Sequence, residues 1–396
     1  MPLLLILFGA ALGVQLAYWG LLRRGVRQAR RRNPSQQRNP SQQRDPSQRP
    51  DACSPAPAPP SLPPLSVVVA ARDEEEALPT LLAALGRQTH PRFEVVLVDD
   101  ASEDATARLA QGWIDALRGN GPSGRLVRIK EPQPPRKKHA LARGIAAARH
   151  ECLAFTDADC APAPGWLEAL ARGHAAFSDG PAAGPLLIGY SPYRRRAGSA
   201  SLLNRFARYE TFLAGVLAAG ACGLERPYTA TGRHLSYTRA LFEQIGGFAH
   251  SQASMSGDDD LLVQEVHRRR AAPVRHVFGS ETFVKADAPR SWSAWLRQKR
   301  RHASAGRFYA AAAGAHLTAF NLTGAVLWLA PFVLGGTGFA LLLGKLVLQY
   351  VALRPAAHAF RETDLLPALP LWDLGYALYN VLVVPLGLAQ VPDEWG

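Results

Sequence analysis

Two textures of apolar residues alternate along the chain. Residues 3–22 form a twenty-residue run without a charge, long enough as a helix to cross a hydrocarbon core of about 30 Å. From Leu65 the pattern shifts to short β-rich runs at 65–71, 93–98, 126–129 and 152–155, which predict strands. Between them, Leu78, Leu81, Leu82 and Leu85 predict a helix; so do Leu109, Trp113, Ile114 and Leu117, and then residues 140–148. Strands and helices alternating at this length predict an α/β fold with a mostly parallel sheet, whose ligands bind beyond the carboxyl ends of the strands. After Arg307 the chain is uncharged as far as Gly344, 37 residues. That stretch predicts membrane spans near 310–333 and 337–353 around a turn at 335–338, with Lys345 forced to snorkel or to face protein. A third apolar stretch, 366–389, carries Asp373 near its start.

Charge refines this outline. The net charge is +13, yet nine Arg and a single Asp fall within residues 23–49. Arg23, Arg24 and Arg27 follow the first apolar run instead of preceding it, the order of an anchor and not of a cleaved signal peptide. The positive-inside rule then puts the amino terminus outside and the rest in the cytoplasm, at the inner membrane. The hexad at 33–38 repeats at 39–44 and decays at 45–49 before a Pro/Ala run, a composition that buries little and reads as a tether. The predicted organisation is an anchor at 1–22, a linker at 23–64, an α/β domain at 65–307 and a membrane domain of about three helices at 308–396. That makes four crossings. The arginine tract suits anionic lipid, and with no aromatic residue interleaved it predicts no nucleic-acid partner. The four cysteines form no CxxC pair, which excludes a structural zinc site and fits a reducing compartment. GxxxxGK[ST] and GxSxG are absent, against P-loop and α/β-hydrolase chemistry.

The acidic residues fall at strand ends. Asp99 and Asp100 close the second strand, and Ser102 or Asp104 is placed to cap the helix beyond. Asp157 and Asp159 follow the fourth strand, where a period of two puts both carboxylates on one side, able to hold Mg²⁺ or Mn²⁺. Asp258, Asp259 and Asp260 precede an apolar run that reads as helix; one or two suit its first turn, and one is free to act as a base. Arg136, Lys137 and Lys138 form one basic cluster and Gln298 to His302 another. Each is a solvated or interfacial charge run, or a diphosphate clamp.

Taken in order, these segments resemble the membrane-associated family 2 glycosyltransferases, whose catalytic domain has the GT-A fold. Residues 66–75 (SVVVAARDEE) look like that family's opening strand and turn, and Val98-Asp99-Asp100-Ala101-Ser102-Glu103-Asp104 like its VDDxSxD segment. Residues 137–144 are similar to its GKxxALNxG, 156–167 to DADxxPxPGWL, and 231–237 with Gly246-Gly247-Phe248 to GxNxxxR…GGF. Gly257-Asp258 falls at its ED motif, with glycine for glutamate, and Gln298 to His302 at its QxxRW, with His302 for tryptophan. The resemblance implies an inverting, metal-dependent hexosyltransferase. Its donor is a nucleotide sugar, a UDP-sugar favoured, and its acceptor a lipid-linked or glycan molecule of cell-envelope synthesis. It further implies donor contacts from Asp73, Glu74, Asp99, Asp100, Lys137, Asp157, Gln298 and Arg301. Asp159 would bind metal, Asp258 would be the base, and Gly232, His234 and His302 would meet the acceptor. A processive polysaccharide synthase and an inactive sugar-binding scaffold are the alternatives. His302 and the small membrane domain weigh against the first, and the intact Asp157, Asp159 and Asp258 against the second.

Overall fold

The computed structural model describes residues 2–36, 61–117, 122–177, 184–196 and 202–389. Four strands appear where the apolar runs predict them: β1 (Leu65–Ala71), β2 (Phe93–Asp99), β3 (Ser123–Arg128) and β4 (Cys152–Phe155). They pair in parallel, with Leu65 opposite Phe93 and Ala71 opposite Asp99. β5 (Cys160–Pro162) and β9 (Val284–Ala286) make a separate two-stranded ribbon. The main sheet is extended by β6 (Leu186–Gly189), β7 (Leu235–Thr238) and β8 (Val274–Val277), in the order β3-β2-β1-β4-β7-β6-β8. β7 is its antiparallel member. The sheet is therefore mixed and mostly parallel, as expected.

Ahead of the sheet runs α1 (Pro2–Arg31). Helices α2 (Leu78–Leu85), α3 (Thr106–Ala116), α4 (Arg136–Ala147) and α5 (Trp166–Ala175) are the crossovers of the first half. α6 (Leu202–Gly223), α7 (Arg239–Gln244), α8 (Asp260–Arg269) and α9 (Trp292–Ser304) flank the second. The sequence then ends in α10 (Ala311–Val326), α11 (Ala330–Leu334), α12 (Gly336–Phe360), α13 (Leu369–Leu382) and α14 (Val384–Ala389). Every residue of β1 and β2 is buried. Val67 and Val69 pack on one side of the sheet, Val68, Val96 and Val98 on the other.

The boundary expected at Leu22 lies inside a helix. Leu22, Gly25, Val26 and Ala29 continue a buried stripe at helical spacing while Arg23, Arg24, Arg27, Arg30 and Arg31 face outward. Nothing in the sequence stops the helix before Asn33-Pro34. The stripe packs on α6 so closely that a methyl on Gly25 would overlap the Gly220 carbonyl, and one on Gly223 the Gly25 carbonyl. Leu22, Val26 and Ala29 share one apolar core with β1. The start of the first hexad is docked as well: the buried Asn33 side chain donates to Phe278 O at 3.1 Å and accepts from Phe278 N at 3.3 Å. Residues 23–36 are thus part of the folded body, not linker. The later repeats and the Pro/Ala run, 37–60, lie outside the described residues.

Among the described residues, three helical segments are long and apolar enough to cross a membrane: Pro2–Arg31, Gly336–Phe360 and Thr363–Ala389. The span expected at 310–333 is not one of them. Pro331 breaks it into α10 and the short α11, and α10, with 16 residues, reaches about 24 Å. Lys345 faces protein: it is 2% exposed and ion-paired to Asp373 of α13, which also accepts from Trp328 Nε1 at 2.8 Å.

Candidate active site

Strand ends of the parallel half converge on one edge, and the backbone there is bent to hold them. Asp73 and Ala101, just past β1 and β2, both adopt left-handed φ of 55°, a conformation costing L-residues about 1 kcal/mol or more. Side chains lace the two turns together. Asp73 Oδ1 accepts from Glu103 N at 2.8 Å, Ser102 Oγ from Asp73 N at 3.1 Å, and Asp104 Oδ2 from Glu75 N at 3.0 Å. Asp104 Oδ1 also accepts from Thr106 N at 2.8 Å, so Asp104 satisfies the first turn of α3. Asp99 is buried and accepts from Ser102 N at 3.3 Å.

Beyond β4 the chain turns instead of staying extended, with Cys160 N donating to Asp157 O at 3.2 Å. The turn still brings both carboxylates together: ligand atoms of Asp157, Asp159 and Cys160 lie within 4.8 Å of one another. Lys137, in the first turn of α4, stands 3.0 Å from Asp157 Oδ1 and 3.2 Å from Asp258 Oδ2. Together with Thr156, Phe155 and Tyr237 these three line a small cavity.

The electrostatics follow from that crowding. Burial alone would raise the Asp157 carboxyl; Lys137, helped by Arg233 and Arg301, reverses this and holds it below the usual range. Burial and then Asp157 push Asp159 up. Glu74 rises to about 7, first from burial and then from Asp159 and Asp157. Lys137 is held protonated against its burial by Asp157 and Asp258. Negative charge that pushes up its carboxyl neighbours, as at Asp159 and Glu74, is what a divalent cation relieves, and the hard oxygen donors of Asp157 and Asp159 suit Mg²⁺ or Mn²⁺. The residues present fit such an ion.

The acidic triplet divides its labour. Asp259 caps α8, its Oδ1 accepting from Asp260 N at 2.8 Å, and its Oδ2 accepts from Gly232 N at 2.8 Å. Asp260 accepts from Thr229 Oγ1 at 2.7 Å, from Ala230 N at 2.9 Å and from the Tyr309 hydroxyl. Asp258 is left with Lys137 and the cavity.

Other predicted residues fall less neatly. Gly232 stands against the triplet, where an added Cβ would lie 3.3 Å from Asp258 Oδ2. Gln298 Oε1 accepts from Tyr193 OH at 3.3 Å, Arg301 is half-buried near enough to bias Asp157, and His302 is exposed on α9. Two expectations are corrected. Asp100 presents no surface to a ligand: its side chain is wholly enclosed and its Oδ2 is held by Arg136 Nε at 2.9 Å. His234 is wholly buried, its ring pressed on Gly189 and Nδ1 donating to Tyr190 O at 3.1 Å; burial lowers its pKa to about 4. A buried imidazole there fills the core and cannot meet an acceptor.

Arg233, its neighbour, is the residue the sequence reading passed over. Nε donates to Ser191 Oγ at 2.6 Å and Nη2 to Ser191 O at 3.2 Å, and the guanidinium lies 5.0 Å from the Tyr193 ring centre. Its charge bears on Asp157 and Asp159. The signal was its place inside the 231–237 segment, one residue from the histidine singled out there.

Residues 66–229 match the glycosyl transferase family 2 model. Glycosyltransferase AglE of Haloferax volcanii is 32% identical over 110 residues, 27% of this chain and 34% of that protein. A dolichyl-phosphate beta-glucosyltransferase of Dictyostelium discoideum is 30% identical over 103 residues, 24% of this chain and 30% of its own. The chain thus spans about a third of the length of the curated relatives it matches. Among solved structures, the mannosyltransferase PcManGT from Pyrobaculum calidifontis, in complex with GDP-Man and Mn²⁺, covers 93% of this chain and 99% of its own at 20% identity, with a TM-score of 0.52. That likeness is one of fold, the GT-A architecture.

Proposed function

We propose that the chain, whose residues 66–229 match the glycosyl transferase family 2 model and whose fold is GT-A, is an inverting glycosyltransferase. It moves a sugar from a nucleotide-diphosphate donor to a lipid-linked or membrane-proximal acceptor. The observation that carries this reading is Lys137 held between Asp157 and Asp258 at 3.0 and 3.2 Å. One ammonium there touches both Asp157, just past β4, and the carboxylate of the triplet that no backbone N–H of the described residues claims.

Each residue then has a physical task. Asp258 takes the proton from the acceptor hydroxyl as that oxygen attacks the anomeric carbon opposite the leaving nucleoside diphosphate; a single displacement inverts configuration. Lys137, kept cationic by its two carboxylates, meets the diphosphate, and Arg301 adds charge from α9. Asp159 with Asp157 would hold Mg²⁺ or Mn²⁺, which when bound supplies neutralisation of the departing diphosphate. Asp73 and Glu74 frame the nucleotide side. The helices long enough to span a bilayer support a membrane-bound acceptor, as does the likeness to a dolichyl-phosphate beta-glucosyltransferase.

The test is a panel of UDP-, GDP- and dTDP-sugars with Mn²⁺ against detergent-purified protein, reading thermal stabilisation first. Transfer of labelled sugar to a lipid extract follows, with product length and anomeric configuration determined. One added sugar of inverted configuration is expected; retention of configuration, or no transfer from any donor, refutes the reading.

A further inference from the structure

Lys138 follows Lys137 on α4 but takes no part in the contacts of the cleft. Its side chain is almost wholly buried, at 2% exposure. Its Nζ donates to three backbone carbonyls, Ser251 O at 2.6 Å, Ser254 O at 2.8 Å and Ser256 O at 3.0 Å. An ammonium has three protons, and all three are used. Carbonyl oxygens converging on one point form the kind of shell that wraps a small monovalent cation; here α4 supplies the cation covalently. Burial draws the Lys138 pKa down to about 8, and Asp258 and then Asp259 oppose that pull.

The three carbonyls belong to one stretch, which ends immediately before Gly257-Asp258. Its regular structure is a single 3₁₀ turn at Ala249–Ser251, continued by Ser254 N donating to Ser251 O at 3.1 Å. Both ends are bent through conformations that only glycine adopts easily, φ of +76° and +60° at Gly246 and Gly247 and +78° at Gly257. Segments so built have few bonds of their own to fix where the next residue points. The next residue is Asp258.

We propose that Lys138 is a positioning residue for sugar transfer: it latches residues 251–256 so that Asp258 is presented to Lys137 and the acceptor. This rests on the reading of Asp258 as the base. Because Lys137 and Lys138 are successive residues, one end of α4 sets the place of the strand-end acids and of the base together. The reaction needs that register, since an acceptor oxygen must meet its base and the anomeric carbon within about 3–3.5 Å.

The experiment compares wild type, Lys138→Met and Asp258→Asn in detergent, measuring kcat, donor affinity by nucleotide titration, and amide hydrogen exchange. Lys138→Met should lower kcat ten- to a hundredfold, keep donor affinity within about threefold, and speed exchange in 249–258 at least tenfold with β1 and β2 unchanged. A merely structural lysine would lower donor affinity and protection across the whole domain alike, which overturns the proposal. So does a Lys138→Met protein with wild-type kcat and wild-type exchange in 249–258. If Lys138→Met does not fold, Lys138→Gln, which keeps two N–H donors without the charge, is read by the same criteria. An active Asp258→Asn defeats the base reading on its own, whereas an inactive Asp258→Asn beside an unaltered Lys138→Met defeats only the latch.

Discussion

Glu74 provides a test of the electrostatics that needs no substrate. Its carboxyl is pushed from an ordinary 4.5 to about 7, by burial first and by Asp159 and Asp157 next. The folded protein therefore holds this proton more tightly than the unfolded chain does. Stability tied to that proton is complete below about pH 4.5 and is lost as pH rises through about 7. At about 1.4 kcal/mol per pH unit the ceiling is roughly 3 kcal/mol, and partial solvation of the half-buried group brings the working figure nearer 1 kcal/mol. Glu74→Gln keeps the shape and removes the charge. In thermal unfolding without divalent ions it should match wild type at pH 4.5 and exceed it at pH 8.5 by about 2–4 °C, the shift about 1 kcal/mol gives a domain of this size. Added Mn²⁺ should narrow the gap at pH 8.5 by relieving the repulsion in wild type. A variant no more stable than wild type at pH 8.5, or a gap that widens toward acid, would refute the reasoning.

Other outcomes follow from the same geometry. Asp258→Asn should lower kcat by about 10²–10⁴ with donor affinity intact, whereas Asp259→Ala should act mainly on thermal stability, by about 1 kcal/mol, through its lost cap; the reverse pattern moves the base to Asp259. Asp159→Ala should abolish turnover and remove the Mn²⁺ dependence of nucleotide binding measured by titration, and full activity of wild type in EDTA would sink the metal assignment. Lys345→Met, which strands the buried Asp373, should destabilise by about 3–5 kcal/mol, and pairing it with Asp373→Leu should recover most of that in a detergent melt.

How far these features could be read in the sequence depended on local pattern. β1 and β4 were legible to the residue because continuous apolar runs end there at charged or turn-forming residues. β6 and β8, four residues each, carry no alternation that separates them from a helix segment. Asp157, Asp159, Lys137 and Asp258 could be singled out as candidates because they abut strong elements. Arg233 and His234 could not be told apart, because adjacent residues in a 3₁₀ turn point about 120° apart and only tertiary packing decides which is buried. Asp100 misled for a similar reason: two adjacent strand-end acids differ in face, and its enclosure depends on Arg136, 36 residues away. The arginine tract misled differently. Its charge density hid the stripe of Leu22, Gly25, Val26 and Ala29, which has ordinary helical spacing.

That stripe has a mechanical consequence. A catalytic domain hung on a loose cord sweeps a hemisphere and can meet acceptors at many heights. Here a helix long and apolar enough to cross a membrane also packs into the core of the sheet, with Leu22 and Val26 in the same cluster as Val67 and Val69. The helix acts as a ruler. With α1 in a bilayer, it would fix the distance between the cleft and the lipid surface to within the give of a packed core, and on the proposed function the acceptor's reacting hydroxyl would have to come to that height. Acceptor choice would then be governed partly by the length of spacer between lipid and hydroxyl, a property set by α1 some distance from the cleft.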